Sequence, residues 1–182
     1  MALRFRERET TQAAAHLLTL HRGEMPYLKL IKLLYFAERR ALVDTGRPIT
    51  YDRYVSMPHG PVLSRTYDLL MEEPEPGVES YWHRYISVPS NYSVHVLGKV
   101  PTDRLSRAQQ EVLGQVFAEY GHFDKWKLRD LSHELPEWRD PDDSSLPLPI
   151  REILLAQGDS EDDAGAIEQE LEAEAIAERL LA

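Results

Sequence analysis

The strongest constraint in this chain is the stretch from Leu28 to Ala37, which would be apolar on nearly every side of a helix. Leu30, Leu33, Leu34, Ala37 and Ala41 make one stripe at helical spacing, and Tyr27, Ile31 and Tyr35 widen it. A helix apolar over so wide an arc has to be buried in the middle of a domain. Lys29, Lys32, Arg39 and Arg40 are then expected to emerge at its rim. Pro26 suits the first position of this helix and Gly46 a left-handed residue just past its end, so the helix is expected to run to about Asp44.

Other elements follow from the same kind of signal. Glu9 to about Arg22 reads as a preceding helix ended by Gly23. Arg47–Met57 is a short extended stretch, Pro58-His-Gly-Pro61 a turn, and Pro61 a candidate first residue of a third helix through Tyr67 and Leu70. Glu72–Gly77 reads as a loop. The alternating segments Tyr81–Val88 and Tyr92–Val100, separated by Pro89-Ser-Asn91, are expected to pair as a β-hairpin. Ser106 is a good N-cap for a helix to Tyr120, and Lys125–Glu134 is a shorter helix ended by Pro136. Asp140–Pro149 is a proline-punctuated linker, followed by a short helix over Pro149–Gln157. Asp159–Asp163 then caps a last amphipathic helix with Ile167, Leu171, Ala175 and Leu180 on one side. The expected fold is α+β and mainly α. About five helices surround the central apolar helix with a small antiparallel β-sheet, and an acidic helical extension follows. Residues 1–140 are expected to form the domain, and residues 141–182 the linker and acidic helices.

Composition excludes several classes. The chain has 182 residues, enough for one domain with a real core, and a hydrophobic fraction of 42% argues against disorder throughout. It has no cysteine, hence no disulfide framework, thiolate metal site or cysteine nucleophile. The N-terminal segment to Glu9 is charged and leads into no apolar h-region, and no run is long enough to span a bilayer; both point to the cytoplasm and away from a membrane. The net charge of −10 is unevenly spread. Residues 1–65 hold 11 basic against 6 acidic side chains, residues 66–182 hold 10 against 25. The basic end supplies Arg4, Arg6, Arg8, Lys29 and Arg39 as a candidate nucleic-acid contact, but the whole chain would approach a phosphate backbone against its own charge.

No catalytic or metal constellation emerges. His16 and His21 lie five apart and so on different faces of a helix, unlike a zinc-binding pair. His83, His95 and His122 stand alone. His59 belongs to a turn and is read chiefly as supporting it. Asp130, His133 and Glu134 resemble part of a catalytic set, but no nucleophile turn and no serine partner accompany them, Ser64 and Ser106 being a first-turn residue and an N-cap. There is no Gly-Lys-Ser/Thr for a phosphate loop, and Asp140, Asp142 and Asp143 lack the glycine and terminal glutamate of a calcium loop. The expectation is a protein without enzymatic activity, metal or cofactor, whose business is binding another protein.

An ordered set of short motifs sharpens this. Leu28-Lys-Leu-Ile-Lys-Leu-Leu-Tyr-Phe-Ala37, Gly46-Arg-Pro48, His59-Gly-Pro-Val62 with Ser64 and Tyr67, and then Leu131-Ser-His-Glu134 followed by Trp138 occur in that order. The set resembles the Panacea-domain, SocA-like antitoxin family, including its phage-associated relatives, over roughly residues 10–140. Glu137, between Pro136 and Trp138, departs from the family pattern, in which the proline often directly precedes the tryptophan.

The resemblance implies an antitoxin that neutralises a cognate toxin, usually encoded next door, by direct contact. Leu33, Leu34 and Phe36 are read as core, and Gly46, Pro48, Gly60 and Pro61 as shaping the backbone. Tyr67 belongs to the motif, and His133 and Trp138 are read as clamping the fifth helix. Lys32, Tyr35, Arg39, Tyr54, His59 and Arg65 are expected to face the surface and are the candidates for partner contact. SocA-type antitoxins are also associated with delivering the toxin to a ClpXP-type protease. The small apolar tail Leu180, Leu181 and Ala182 is therefore a candidate handle for ClpX or a similar unfoldase, and a proteolytic adaptor is an alternative role. A DNA-binding autoregulator is a further one.

Overall fold

The computed structural model describes residues 3–74 and 76–181. Its centre is α2 (Tyr27–Thr45), on which Leu30, Leu33, Tyr35, Ala37 and Leu42 have no exposed surface. Pro26 stands at its N-cap, and at its end Gly46 adopts φ 68° and donates its N–H to the Leu42 carbonyl at 2.8 Å. A side chain is strained in that left-handed conformation, so glycine closes the helix at low cost. Preceding it are α1 (Glu7–Leu20), which buries Ala13, Ala14, Leu17 and Leu18, and β1 (Glu24–Pro26).

After α2 come β2 (Tyr54–Met57), β3 (Gly60–Leu63), α3 (Ser64–Met71) and α4 (Tyr81–Tyr85). The chain continues through β4 (Ser93–His95), α5 (Arg107–Tyr120), α6 (Lys125–His133) and β5 (Leu146–Pro147), and ends in α7 (Ile150–Ala156) and α8 (Glu161–Leu181). These eight helices among the described residues, with antiparallel sheets of two strands (β1–β4) and three (β3–β2–β5), make the fold mainly α with a minor β component. Around α2 pack α1, α3, α5, α6, α7 and β3. Ser106 caps α5 in a full capping box with Gln109.

Two local expectations are corrected, the first of them in part. Only the second half of Tyr81–Val88 pairs as the first arm of a hairpin, because its first five residues are α4. Ser80 accepts a bond from the His83 N–H, and Glu7 of α1 accepts from the Ser80 hydroxyl and the Trp82 N–H, both at 3.0 Å. These bonds satisfy an N-terminus that the sequence pattern alone would not flag. The i, i+4 pair Tyr81 and Tyr85 then meets edge to face along the helix, the ring centres 5.0 Å apart, and Trp82 is fully buried. Ser93–His95 pairs with β1, Met25 opposite Val94, while on its other side Ile86 bridges Val96 and Ser90 bridges Ser93, the Ser87 N–H donating to the His95 carbonyl at 3.0 Å and the Leu97 N–H to the Tyr85 carbonyl at 2.7 Å.

Pro61, for its part, does not open a helix. It lies in β3, opposite Ser56 of β2, and α3 starts at Ser64. Asp52 selects that start: its carboxylate accepts the Arg65 N–H at 2.9 Å, the Thr66 N–H at 2.8 Å and the Thr66 hydroxyl at 2.7 Å. A carboxylate on the free amides of a first turn is the usual solution to a helix start, here supplied from outside the helix. The loop expected over Glu72–Gly77 contains Glu75, which lies outside the described residues.

The last segment is docked. Leu146 and Pro147 pair with Ser56 and Val55, Ile153 and Leu154 of α7 are fully buried, and α8 turns Ala164, Leu171 and Ala175 inward. Glu174 of α8 accepts from Arg6 and Arg47 at 2.7 Å and from the Tyr51 hydroxyl at 3.0 Å, while the Arg6 guanidinium lies 3.6 Å from the Tyr51 ring centre. No helix among the described residues is long and apolar enough to cross a membrane.

Candidate functional site

Two buried carboxylates fix the frame around α2. Glu38 is fully enclosed and accepts from Ile49 N at 2.9 Å, Thr50 N at 3.1 Å, the Thr50 hydroxyl at 2.6 Å and the Tyr54 hydroxyl at 3.3 Å. It thereby holds the chain that leaves Gly46 and the buried Pro48 against the helix. Burial pushes its carboxyl up to about 7 despite these bonds. Glu137 takes Arg39 in a two-point ion pair, with the Nε bond at 2.5 Å and the Nη2 bond at 3.1 Å, and accepts from the Tyr35 hydroxyl at 3.2 Å. The residue by which the sequence departs from the family pattern is thus a buried anchor.

Beside Glu137, the Trp138 indole donates to the Met57 carbonyl at 3.2 Å and stacks on the His133 ring, the ring centres 4.1 Å apart. His133 Nε2 is buried without a hydrogen-bond partner. Burial, assisted by the nearby Lys32 ammonium, holds the imidazole below its ordinary pKa. The second motif therefore fastens the end of α6 to the β2–β3 turn.

The six residues expected to face a partner divide. Lys32, Tyr35 and Tyr54 are buried, correcting the expected surface exposure. The physical reason is that each spends its polar end inside: Lys32 Nζ donates to the Pro61 carbonyl at 2.9 Å, Tyr35 to Glu137, and Tyr54 to Glu38. Burial among apolar neighbours lowers the Lys32 ammonium to about 7. Arg39 is half-buried in its pair with Glu137, whereas His59 and Arg65 are exposed. Among the motif residues, Leu33, Leu34 and Phe36 are buried. Leu180 and Leu181 are exposed, and Ala182 lies outside the described residues. Of the candidate nucleic-acid contacts, Arg6 is engaged by Glu174 and Glu178, Lys29 by the Gly121 carbonyl and Arg39 by Glu137.

Gly60 explains how Lys32 fits. Its φ is +92°, and a Cβ there would lie 2.1 Å from Ser132 Oγ and 2.8 Å from Lys32 Nζ. Gly60→Ala is expected to cost about 2–3 kcal/mol through backbone strain and overpacking. The readout is a lowered midpoint in chemical denaturation.

Part of the motif set lines a cavity of about 570 Å³. Leu28, Ile31 and Lys32 of α2 line one side and Met57, Pro58, His59 and Val62 of the β2–β3 hairpin another; Tyr27 and Tyr67 contribute rings, and Tyr92, Lys125 and Trp126 complete it. Tyr92 and Trp126 are 70% and 48% exposed, an unusual amount of free aromatic surface beside a cavity. These last three residues were missed by sequence reasoning, as were Glu38 and Asp52. Glu38 was detectable in principle, since it continues the buried stripe four residues after Leu34. The rim residues gave no signal, because loop and helix start are brought to α2 only by the tertiary fold. Among the described residues no group of three or more histidine and acidic side chains is placed to hold a metal ion.

Residues 30–139, more than half of the chain, match the family described as antitoxin SocA-like, Panacea domain. The chain belongs to that family. The match covers α2 from Leu30 onward, the β2–β3 hairpin and α6, which contribute most of the cavity lining, together with Trp138. No curated protein and no solved structure matches the chain.

Proposed function

We propose that this protein is the antitoxin of a toxin–antitoxin pair, acting in the cytoplasm, and that it neutralises its toxin by direct protein–protein contact through the domain of residues 1–140. The observation that carries the reading is that several residues of the family motifs, Leu28, Ile31, Lys32, His59, Val62 and Tyr67, line one aromatic-rimmed cavity. Exposed tryptophan and tyrosine beside a concave surface are the side chains on which protein interfaces concentrate their binding energy. The test is co-expression with the product of the neighbouring gene. Cells are expected to be rescued and the two proteins to co-purify; rescue without a physical complex overturns direct contact.

A proteolytic adaptor is the second reading, supported by the accessibility of the tail at Leu180 and Leu181, which are 82% and 89% exposed. In that case rescue disappears when the host's ClpXP-type protease is deleted.

A further inference from the structure

The cavity between α2, the β2–β3 hairpin and the start of α6 differs in charge from the rest of the molecule. The chain carries a net charge of −10, yet the cavity lining includes Lys32, His59 and Lys125 and no carboxylate. The two lysines are not equivalent. Lys32 has no exposed surface and already donates to the Pro61 carbonyl, so its charge lies beneath the floor. Lys125 stands at the mouth, its Nζ 5.3 Å from the Tyr92 ring centre and 5.1 Å from that of Trp126. The interior between them is formed by Leu28, Ile31, Met57 and Val62. An occupant must therefore place an apolar group inside and its negative charge outside.

We propose that this cavity docks a segment of a partner protein in which an apolar or aromatic side chain is flanked by acidic residues. The side chain enters between the tyrosine and tryptophan rings, and the flanking carboxylates meet Lys125 and His59. The volume lies within the range of pockets that accept compact organic ligands, so a large side chain fits. An anion driven to the floor would give up its hydration for a lysine whose amine is already bonded, whereas one at the mouth keeps part of its water. A nucleic-acid backbone is the poorer occupant, since few free cations surround the cavity and the protein as a whole is acidic. The inference rests on the direct-contact reading above and gives it a recognition chemistry.

Labelled peptides with a tryptophan–leucine core test it by fluorescence anisotropy on the full chain. One peptide carries aspartate and glutamate flanks, a second lysine flanks, and a third has the core replaced by alanine. Saturable binding is expected for the first, binding at least about tenfold weaker for the second, and none for the third. Lys125→Glu should reverse the preference between the first two, and Trp126→Ala should abolish binding, each with an unchanged melting midpoint. No saturable binding of the acidic peptide, or equal binding of the acidic and basic ones, overturns the proposal. So does a concentration-dependent dimer lost in Trp126→Ala, which would make the occupant a second copy of this chain. In pull-downs of the neighbouring gene product, a complex that survives both substitutions overturns this inference and leaves direct contact standing. The absence of any complex with the unsubstituted protein removes both.

Discussion

Glu137→Ala is expected to destabilise the protein by about 3–5 kcal/mol, the usual cost of removing one partner from a buried ion pair. Glu137 has no exposed side-chain surface and Arg39 little. The substitution therefore leaves a guanidinium without its counter-charge and the Tyr35 hydroxyl without its acceptor. Glu137→Gln keeps the shape and one acceptor and should lose less. A double-mutant cycle with Arg39→Met isolates the pair: if the coupling is real, the double variant is more stable than the sum of the single losses implies. Denaturant midpoints measure all four variants. A loss below about 1 kcal/mol for Glu137→Ala would place the pair among solvent-screened surface contacts and contradict the burial seen here. The consequence reaches the cavity, because Glu137 adjoins Trp138, whose indole holds the Met57 carbonyl. Rescue from the toxin should therefore weaken in step with stability.

Glu137 also marks the limit of what local sequence reveals. The central helix was legible because its apolar arc is local: Leu30 to Ala41 state their burial in one stretch of chain. Gly46 and Ser106 were legible for the same reason, being caps whose chemistry acts within a few residues. Asp52, Glu7 and Glu137 are different. Each satisfies backbone or side-chain groups well removed in sequence, Asp52 at α3, Glu7 at α4 and Glu137 at α2, so nothing in its neighbouring residues announces the role. The same blindness misplaced Lys32, Tyr35 and Tyr54, whose polar ends imply exposure until a buried acceptor is known. The family motifs include one wall of the cavity, but its rim at Tyr92, Lys125 and Trp126 depends on separate segments meeting in space.

The buried charges make a second large prediction, a stability minimum near neutral pH. Glu38 has its pKa raised from 4.5 to about 7. The folded state therefore holds that proton more tightly than the unfolded chain does. Its stabilisation is complete below about pH 4.5 and is lost as pH rises through about 7, a change of roughly 3 kcal/mol. Lys32 behaves oppositely. Its pKa is lowered from 10.5 to about 7, so the unfolded chain binds the proton more tightly between those values. Stability from the neutral amine is complete above about pH 10.5 and is lost as pH falls through about 7, at most about 5 kcal/mol. Both unfavourable contributions thus overlap near pH 7, on top of whatever the surface groups add. Differences between proteins isolate them. Urea midpoints of the unsubstituted chain minus those of Glu38→Gln should fall between about pH 4.5 and 7 and then level off. The corresponding difference for Lys32→Met should stay level below about pH 7 and rise above it, offset throughout by the lost bond to the Pro61 carbonyl. Parallel curves for Lys32→Met would mean that the amine keeps its charge in the folded protein. That charge lies directly beneath the cavity floor, so the same titration decides how much positive field the cavity presents to an acidic partner at the pH of the cell.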